Sequence, residues 1–450
     1  MNNQNIYIIG IGGAGTSALA RLYQSQGHNI SGSDDGDGFY TKSLKKESIK
    51  IFNSFDKKNI PEKIDFAVHS TAFNETNSEI AEIKNRGIKL FSYPEALGKI
   101  TKKYFTIAVC GTHGKTTTTA MTTHTLIACE KNPTAIVGAP VIGWETSGFR
   151  KGGKEFLVIE ADEYQNKLAF YHPTAVILTS IDFDHPDFFK DFDEYKKVFT
   201  DFIKRIPKHG FLVACANDKD VLEIIKNAEC QVITYGTENN ADAQIINREI
   251  VGNKQEVVFK YKEKNYTITI NSFGLHNALN ALGAWLTAFS LTGNAELSSQ
   301  GISEFVGTKR RFERKGLYKN ALLFDDYAHH PEEIRATLSS LREAFPKKNI
   351  VAAFHPHTFS RTKALLNEFA RTLDLADRVI ILDIYGSVRE EHGGVSAQDL
   401  VDEINQDIQK KAVNLKDVDE LANFMKNNLT ENDVFITLGA GDIYKVYDKI

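Results

Sequence analysis

No apolar run in this 450-residue chain approaches the roughly 18 residues needed to cross a bilayer, and no membrane partner is expected. Basic surplus is missing too. The net charge is −4, which gives no footing for nucleic acid or an anionic lipid surface. Cysteine is scarce, and Cys110, Cys129, Cys215 and Cys230 include no CxxC pair, so reduced thiols in a cytoplasmic protein are expected. The opening "MNNQNIYIIG" goes straight into a strand pattern and lacks the charged-then-apolar layout of a signal peptide. Short-period repeats and low-complexity tracts are absent as well.

What remains is an ordinary globular composition, too long for one core, so two or three domains are expected. The first hundred residues alternate "NIYIIGI", "AGTSALARLYQSQG", "NISGSD" and "IDFAVHS", the βαβ rhythm of a parallel sheet. "PEALGKITKKY" reads as a hinge, since proline and a lysine pair interrupt the apolar runs. A second unit opens at "YFTIAVCG". It runs through "FLVIEADE" and "TAVILTSIDFDH" to three alternating segments, "AQIINREI", "QEVVFKYK" and "YTITINS", that read as antiparallel strands. The helix "HNALNALGAWLTAFSLTG" follows, with its last glycine as a C-cap. A third α/β unit begins near Gly316, giving expected domains at 1–103, 104–315 and 316–450.

Two glycine turns carry chemistry. Gly10, Gly12 and Gly15, with Gly13 among them, fit G-x-G-x-x-G between a strand and a helix, where backbone N–H groups can meet a diphosphate. Asp34 ends the next strand, where an acid meets a ribose hydroxyl. NAD and a UDP-sugar both satisfy this turn, and glycines that merely pack helix on strand are the bland alternative. The second turn is "GTHGKTTTT", residues Gly111, Thr112, His113, Gly114, Lys115, Thr116 and Thr117 onward. It is an abbreviated P-loop, with two residues between its glycines instead of four. Lys115 is placed to lie over the outer phosphates and the Thr116 hydroxyl to meet Mg²⁺. A run of threonines makes a poor helix start unless that terminus has a task.

Carboxylates and a histidine follow at strand ends: Glu160, Asp162 and Glu163 in "VIEADE", then Asp182, Asp184 and His185 in "SIDFDHPD". Any one of them is more simply a solvated loop residue, but two such clusters downstream of a phosphate loop point to Mg²⁺. Asn277 and Asn280 share a helix face, where a nucleotide base or a neighbouring loop would satisfy their amides.

Taken in order, "GTHGKTTTT", "EADE", "DFDH", "HNALN", "GTKRRFE" and "DDYAHHPEE" resemble the Mur ligases of bacterial cell-wall synthesis over essentially the whole chain. The short loop is that family's own P-loop variant. The resemblance implies an α/β fold of three domains: a UDP-sugar-binding Rossmann-like domain, a central P-loop ATPase with a mixed sheet, and a C-terminal Rossmann-like domain for the amino acid. It implies ATP and Mg²⁺ as cofactors. Lys115 and Thr116 match phosphate and Mg²⁺ contacts, Glu160 and His185 a second metal site, and His276, Asn277 and Asn280 positions near the nucleotide. Gly10, Gly12, Gly13, Gly15, Asp34 and Ser70 fall to the UDP-sugar. Arg311 and Asp326 match a pair serving the ATP site, and His330, His357 and Arg361 match positions near the sugar carboxylate and incoming amino acid. Within the family, "GIGGAG" and "FHPHTFSRT" most resemble the patterns of the member that joins L-alanine to UDP-N-acetylmuramate, and for this chain either a monomer or a homodimer is expected. Departures are Ser180 where relatives commonly have asparagine, Thr358 where some have arginine, and the loop "DIYGSVREEHGGVS".

The implied reaction is ATP-dependent amide formation through an acyl phosphate, with Lys115, Arg311 and Mg²⁺ neutralising charge and His330 as a candidate base. Three alternatives stand beside it. A recycling ligase would add a tripeptide to the same sugar, an NAD-dependent oxidoreductase would use the first turn alone, and a non-catalytic regulator would bind nucleotide without turnover.

Overall fold

The computed structural model describes residues 3–144, 148–186, 188–386, 393–406 and 411–450. Of the divergent loop noted above, at 383–396, residues 387–392 lie outside the described residues. The described chain forms three sheets and divides into two compact units, 1–249 with 256–270 and 279–306, and 250–255 with 271–278 and 307–450.

In the first unit, five parallel strands lie in the order Lys50–Phe52, Asn29–Ser33, Asn5–Ile9, Phe66–His69, Leu90–Ser92. Strand order reverses beside Asn5–Ile9, the switch point at which doubly wound sheets open a crevice for ligands. Asn5–Ile9 is buried on both faces, as a central parallel strand must be. Glu79 is fully buried behind this sheet, and its carboxylate is satisfied by the Tyr7 hydroxyl (3.0 Å), Asn59 Nδ2 (3.1 Å), the Asp56 N–H (3.2 Å) and Ser33.

The second sheet has ten strands. Its parallel heart runs Gln231–Gly236, Phe211–Cys215, Ala175–Leu178, Phe105–Cys110, Phe156–Glu160. At one edge come Ala243–Val251, Lys254–Tyr261 and Lys264–Ile270, joined by two-residue turns that only antiparallel neighbours can use. Gly252 (φ +62°) makes the first turn, and Lys262 and Glu263 (φ +47° and +59°) make the second. The sheet is mixed, as expected.

The hinge expected at "PEALGKITKKY" is a helix instead. Ser92 and Glu95 close a capping box, Pro94 occupies the first turn where its missing N–H costs nothing, and Tyr93–Thr101 buries Ala96, Leu97 and Ile100. This helix joins the two sheets of the first unit. Gly98 packs against the backbone of Phe170, and Thr101 Oγ1 accepts the His172 N–H at 3.1 Å.

The second unit holds a six-stranded sheet in the order Glu313–Tyr318, Ala321–Asp326, Asp433–Leu438, Asn349–Phe354, Arg378–Leu382, Ala412–Leu415. All its pairings are parallel except the first strand, which returns through a tight turn at Lys319 and Asn320. Helices such as Pro331–Ala344 and Val418–Asn428 cover it.

A methyl group at residue 98 would lie 2.3 Å from the Phe170 carbonyl oxygen, which is backbone and cannot swing aside. Gly98→Ala is therefore expected to lose about 2 kcal/mol net, since overpacking outweighs the gain of roughly 1 kcal/mol in helix propensity. Chemical-denaturation midpoints of the two proteins measure this.

Candidate active site

The P-loop connects strand Phe105–Cys110 to helix Lys115–Ala128. Gly111 (φ +127°) and Gly114 (φ +78°) hold backbone conformations that side chains resist. A methyl at residue 111 would also lie 2.2 Å from Thr179 Oγ1, and one at residue 114 would lie 2.4 Å from Asn280 Oδ1. Asn280 thus sits against the loop. Asn277 donates instead to Ser272 Oγ and the Phe273 carbonyl, both at 2.8 Å, so the preceding loop satisfies that amide.

Lys115 Nζ folds back over its own loop. It donates to the carbonyls of Gly111 (2.6 Å) and Thr112 (3.0 Å) and pairs with both oxygens of Glu163 at 3.0 and 3.2 Å. Burial opposes the charge on Lys115, but the carboxylates of Glu163, Asp162 and Glu160 outweigh it and raise the ammonium pKa. The fully buried Glu163 also accepts the Tyr195 hydroxyl at 3.0 Å. That hydroxyl lies 2.7 Å from Thr112 Oγ1, which accepts the Asp182 N–H at 2.8 Å. Thr116 Oγ1 donates to Glu160 Oε1 at 2.9 Å, and Glu160 Oε2 takes the Gly138 N–H at 2.6 Å. His113 pairs with Asp182 at 3.2 Å, and its N–H donates to Ser180 Oγ at 3.1 Å, so the serine at this position serves the loop directly.

Ligand atoms of Asp162, Glu163 and His185 lie within 4.8 Å of one another. Glu160 is not among them; it sits beside Thr116. The helix that begins at Lys115 tolerates its threonines because Thr119, Thr123 and Thr125 return their hydroxyls to carbonyls one turn back. Thr117 is half-buried on the same first turn.

At the N-terminal turn, Thr16 Oγ1 donates to the Gly10 carbonyl (2.6 Å), and Gly13 caps helix Ala14–Ser25. Asp34 accepts the Gly12 N–H at 2.8 Å, so this acid closes its own turn. Gly15 lies against the Tyr93 ring, and Ser70 packs beside Gly10.

The second unit brings together its own set. Asp326 is buried, accepts the Thr337 hydroxyl (2.8 Å) and the Ala328 N–H (3.0 Å), and has its pKa pushed up to about 6 by burial, against the pull of Arg311. Arg311 lies over the Tyr327 ring at 4.9 Å. His330 caps helix Pro331–Ala344, with Glu333 receiving its N–H at 3.3 Å. Burial lowers the pKa of neighbouring His329, which Glu333 opposes and Arg361 reinforces. His357 stacks on Tyr385 (5.7 Å between centroids). Thr358, between His357 and the helix that carries Arg361, adopts φ +70°, caps that helix, and donates its N–H to the Tyr385 carbonyl at 3.0 Å. His276 opens helix Leu275–Thr292, beside Asn277.

Sequence patterns match the Mur ligase family catalytic domain over residues 5–105, the Mur ligase middle domain over 109–288 and the Mur ligase glutamate ligase domain over 310–441. A UDP-N-acetylmuramate–L-alanine ligase of Clostridium botulinum is 38% identical over 449 residues, covering 99% of this chain and 96% of the relative. The chain belongs to the Mur ligase family. The crystal structure of a Mur ligase from Thermotoga maritima, a UDP-N-acetylmuramate–alanine ligase, superposes with a TM-score of 0.84 at 27% identity, covering 99% and 98% of the two chains. A murein peptide ligase from Psychrobacter arcticus shares the fold, with a TM-score of 0.71 at 23% identity over 99% and 98% of the chains.

Sequence reasoning missed Tyr195, Thr16, Arg310, Asp325 and Tyr385. Only the doubled "RR" and "DD" gave a signal, since adjacent like charges near a strand end invite the question of which one is paired.

The raised pKa of Asp326 has a consequence for stability. Between its unfolded value near 3.9 and its folded value of about 6, the native protein holds the extra proton, so stability from this group falls as pH rises through that window. Asp326→Asn should remove a decline of roughly 2–3 kcal/mol. Unfolding free energies of both proteins at pH 4 and pH 6.5, compared as a difference, test the sign.

Proposed function

We propose that the chain joins L-alanine to the lactyl carboxylate of UDP-N-acetylmuramate with consumption of ATP, in peptidoglycan precursor synthesis. The P-loop carries this reading: a largely covered lysine faces a strand-end carboxylate cluster, within a chain whose relatives share that activity along its full length. A carboxylate is a poor acyl donor, because an oxide would have to leave. Transfer of the γ-phosphoryl group from ATP to a carboxylate oxygen gives an acyl phosphate and ADP. The alanine amine then attacks the acyl carbon, the C–O bond to phosphate breaks, and amide and inorganic phosphate leave. Such transfers need positioning and neutralisation of charge more than covalent help.

Several roles belong to this proposal. Lys115 lies against the outer phosphates, exchanging Glu163 for them, while the glycine loop and Thr112 to Thr117 hold the rest of the chain of phosphates. Asn280 flanks the same loop, and His276 and Asn277 stand near the base. Gly10, Gly12, Gly13, Gly15, Asp34 and Ser70 take the UDP-sugar. Arg311 offers its guanidinium to phosphoryl charge, and Asp326 sits beside it. His330 takes the proton of the amine, and with His357 and Arg361 it serves the sugar carboxylate and the incoming amino acid. Thr116, Glu160 and His185 would hold Mg²⁺, with Asp162 and Glu163 beside His185 as further hard donors, and the ion when bound would supply neutralisation of phosphate charge. Domain limits at 1–103, 104–315 and 316–450, a cytoplasmic location and a monomeric or dimeric state complete the reading. Among the described residues no helix is long and apolar enough to cross a membrane.

Phosphate release with ATP and UDP-N-acetylmuramate, each amino acid added in turn, tests the substrate. L-Alanine should support turnover, and glycine and L-serine should trail it by about 10- to 200-fold in kcat/KM, the worth of one methyl or hydroxyl. Turnover with a tripeptide alone would reassign the chain to recycling. Lys115→Ala should abolish phosphate release while UDP-sugar binding persists; near-normal turnover would remove Lys115 from the mechanism.

A further inference from the structure

Two adjacent arginines in "GTKRRFE" have opposite surroundings. Arg310 has its donors engaged inside the second unit. Its Nε lies 3.2 Å from Asp325 Oδ2, and its terminal nitrogens donate to the carbonyls of Gly439 (2.5 Å), Gly441 (2.9 Å) and Ala440 (3.4 Å). Its guanidinium lies over the rings of Tyr444 (4.4 Å) and Tyr327 (5.2 Å). Asp325 is fully buried and takes a second donor, the Thr437 hydroxyl, at 2.7 Å. Arg311, by contrast, has no hydrogen-bond or ion-pair partner for its guanidinium among the described residues; it lies over the Tyr327 ring at 4.9 Å and acts on the Asp326 carboxyl by charge.

The backbone around the pair is equally specific. Arg310 and Phe312 both take left-handed φ angles, +60° and +50°, on either side of Arg311. Side chains avoid that region, at a cost on the order of 1–3 kcal/mol per residue, so something must hold the turn. The Arg310 N–H donates to Glu313 Oε2 at 2.8 Å, and its carbonyl accepts the Tyr327 N–H at 2.7 Å. Phe312 is buried against Phe273 and Phe324. The clamp on Arg310 thus holds the turn, and Arg311 leaves it half-buried, with its guanidinium over the Tyr327 ring.

We propose that Arg310, held by Asp325 and the carbonyls of residues 439–441, is a positioning residue that presents the free guanidinium of Arg311 to phosphoryl charge. This rests on the reading of Arg311 given above. Arg310 acts through its neighbour: its Nε and both terminal nitrogens already donate to Asp325 and to the carbonyls of residues 439–441.

A double-mutant cycle on the full chain separates this from a merely structural role. Arg310→Lys keeps the charge but cannot span Asp325 and three carbonyls at once. It should lower kcat about 10- to 100-fold with the KM for L-alanine and for UDP-N-acetylmuramate within about twofold. Added to Arg311→Ala, it should cause no further loss of kcat. Asp325→Asn, which preserves shape, should behave the same way, and it decides the matter if Arg310→Lys melts below the assay temperature. Losses that multiply in both cycles would overturn the proposal, as would wild-type kcat in either single variant. If Arg311→Ala alone retains wild-type turnover, the fault lies with the role given to Arg311, and the clamp has nothing to present.

Discussion

The structure of the glycine loop at 111–114 depends on one ion pair, the largely covered Lys115 with the fully buried Glu163. An ammonium taken out of water needs an opposite charge and hydrogen bonds at once, and this one has both: two carboxylate oxygens and two loop carbonyls. Losing one member of such a pair leaves the other uncompensated, a penalty of about 3–5 kcal/mol. The lysine closes the turn upon itself, and the Tyr195 hydroxyl, backed in turn by Thr112 and the Asp182 N–H, holds the carboxylate.

The same device recurs at the N-terminal turn. There Asp34 answers the Gly12 N–H, and Thr16 ties the turn to its own helix. Both phosphate-type loops are therefore satisfied from within the first unit. Hydrogen-bonding groups that would be costly to leave unmade find carboxylate partners close by.

Much of this was legible in the amino-acid order, for physical reasons. Strand and helix periods are strong signals in a parallel α/β chain, and glycines with positive φ mark their turns. The abbreviated P-loop, the strand-end acids and the C-cap at Gly293 could all be read because each rests on neighbours in sequence. "PEALGKITKKY" misled because proline in the first turn of a helix looks like an interruption until Ser92 and Glu95 are seen to cap it. What stayed hidden depends on distant partners. Tyr195 reaches Glu163 across the sheet, and nothing in "DEYKKVF" tells that its tyrosine points at the lysine loop. Asn277 carried two open options, and only the fold shows that Ser272 and Phe273 satisfy it. The division between Arg310 and Arg311 is set by a glycine loop more than a hundred residues away.

Thr358 shows what a small departure can do. A β-branched residue at φ +70° stores strain that glycine would release, yet glycine would surrender the hydroxyl that caps the Arg361 helix. The residue works like a loaded spring with a latch: the peptide linking His357 to it is forced into one direction, and the cap and the Tyr385 carbonyl keep it there. Relaxing the spring would make the segment cheaper to fold and looser to aim.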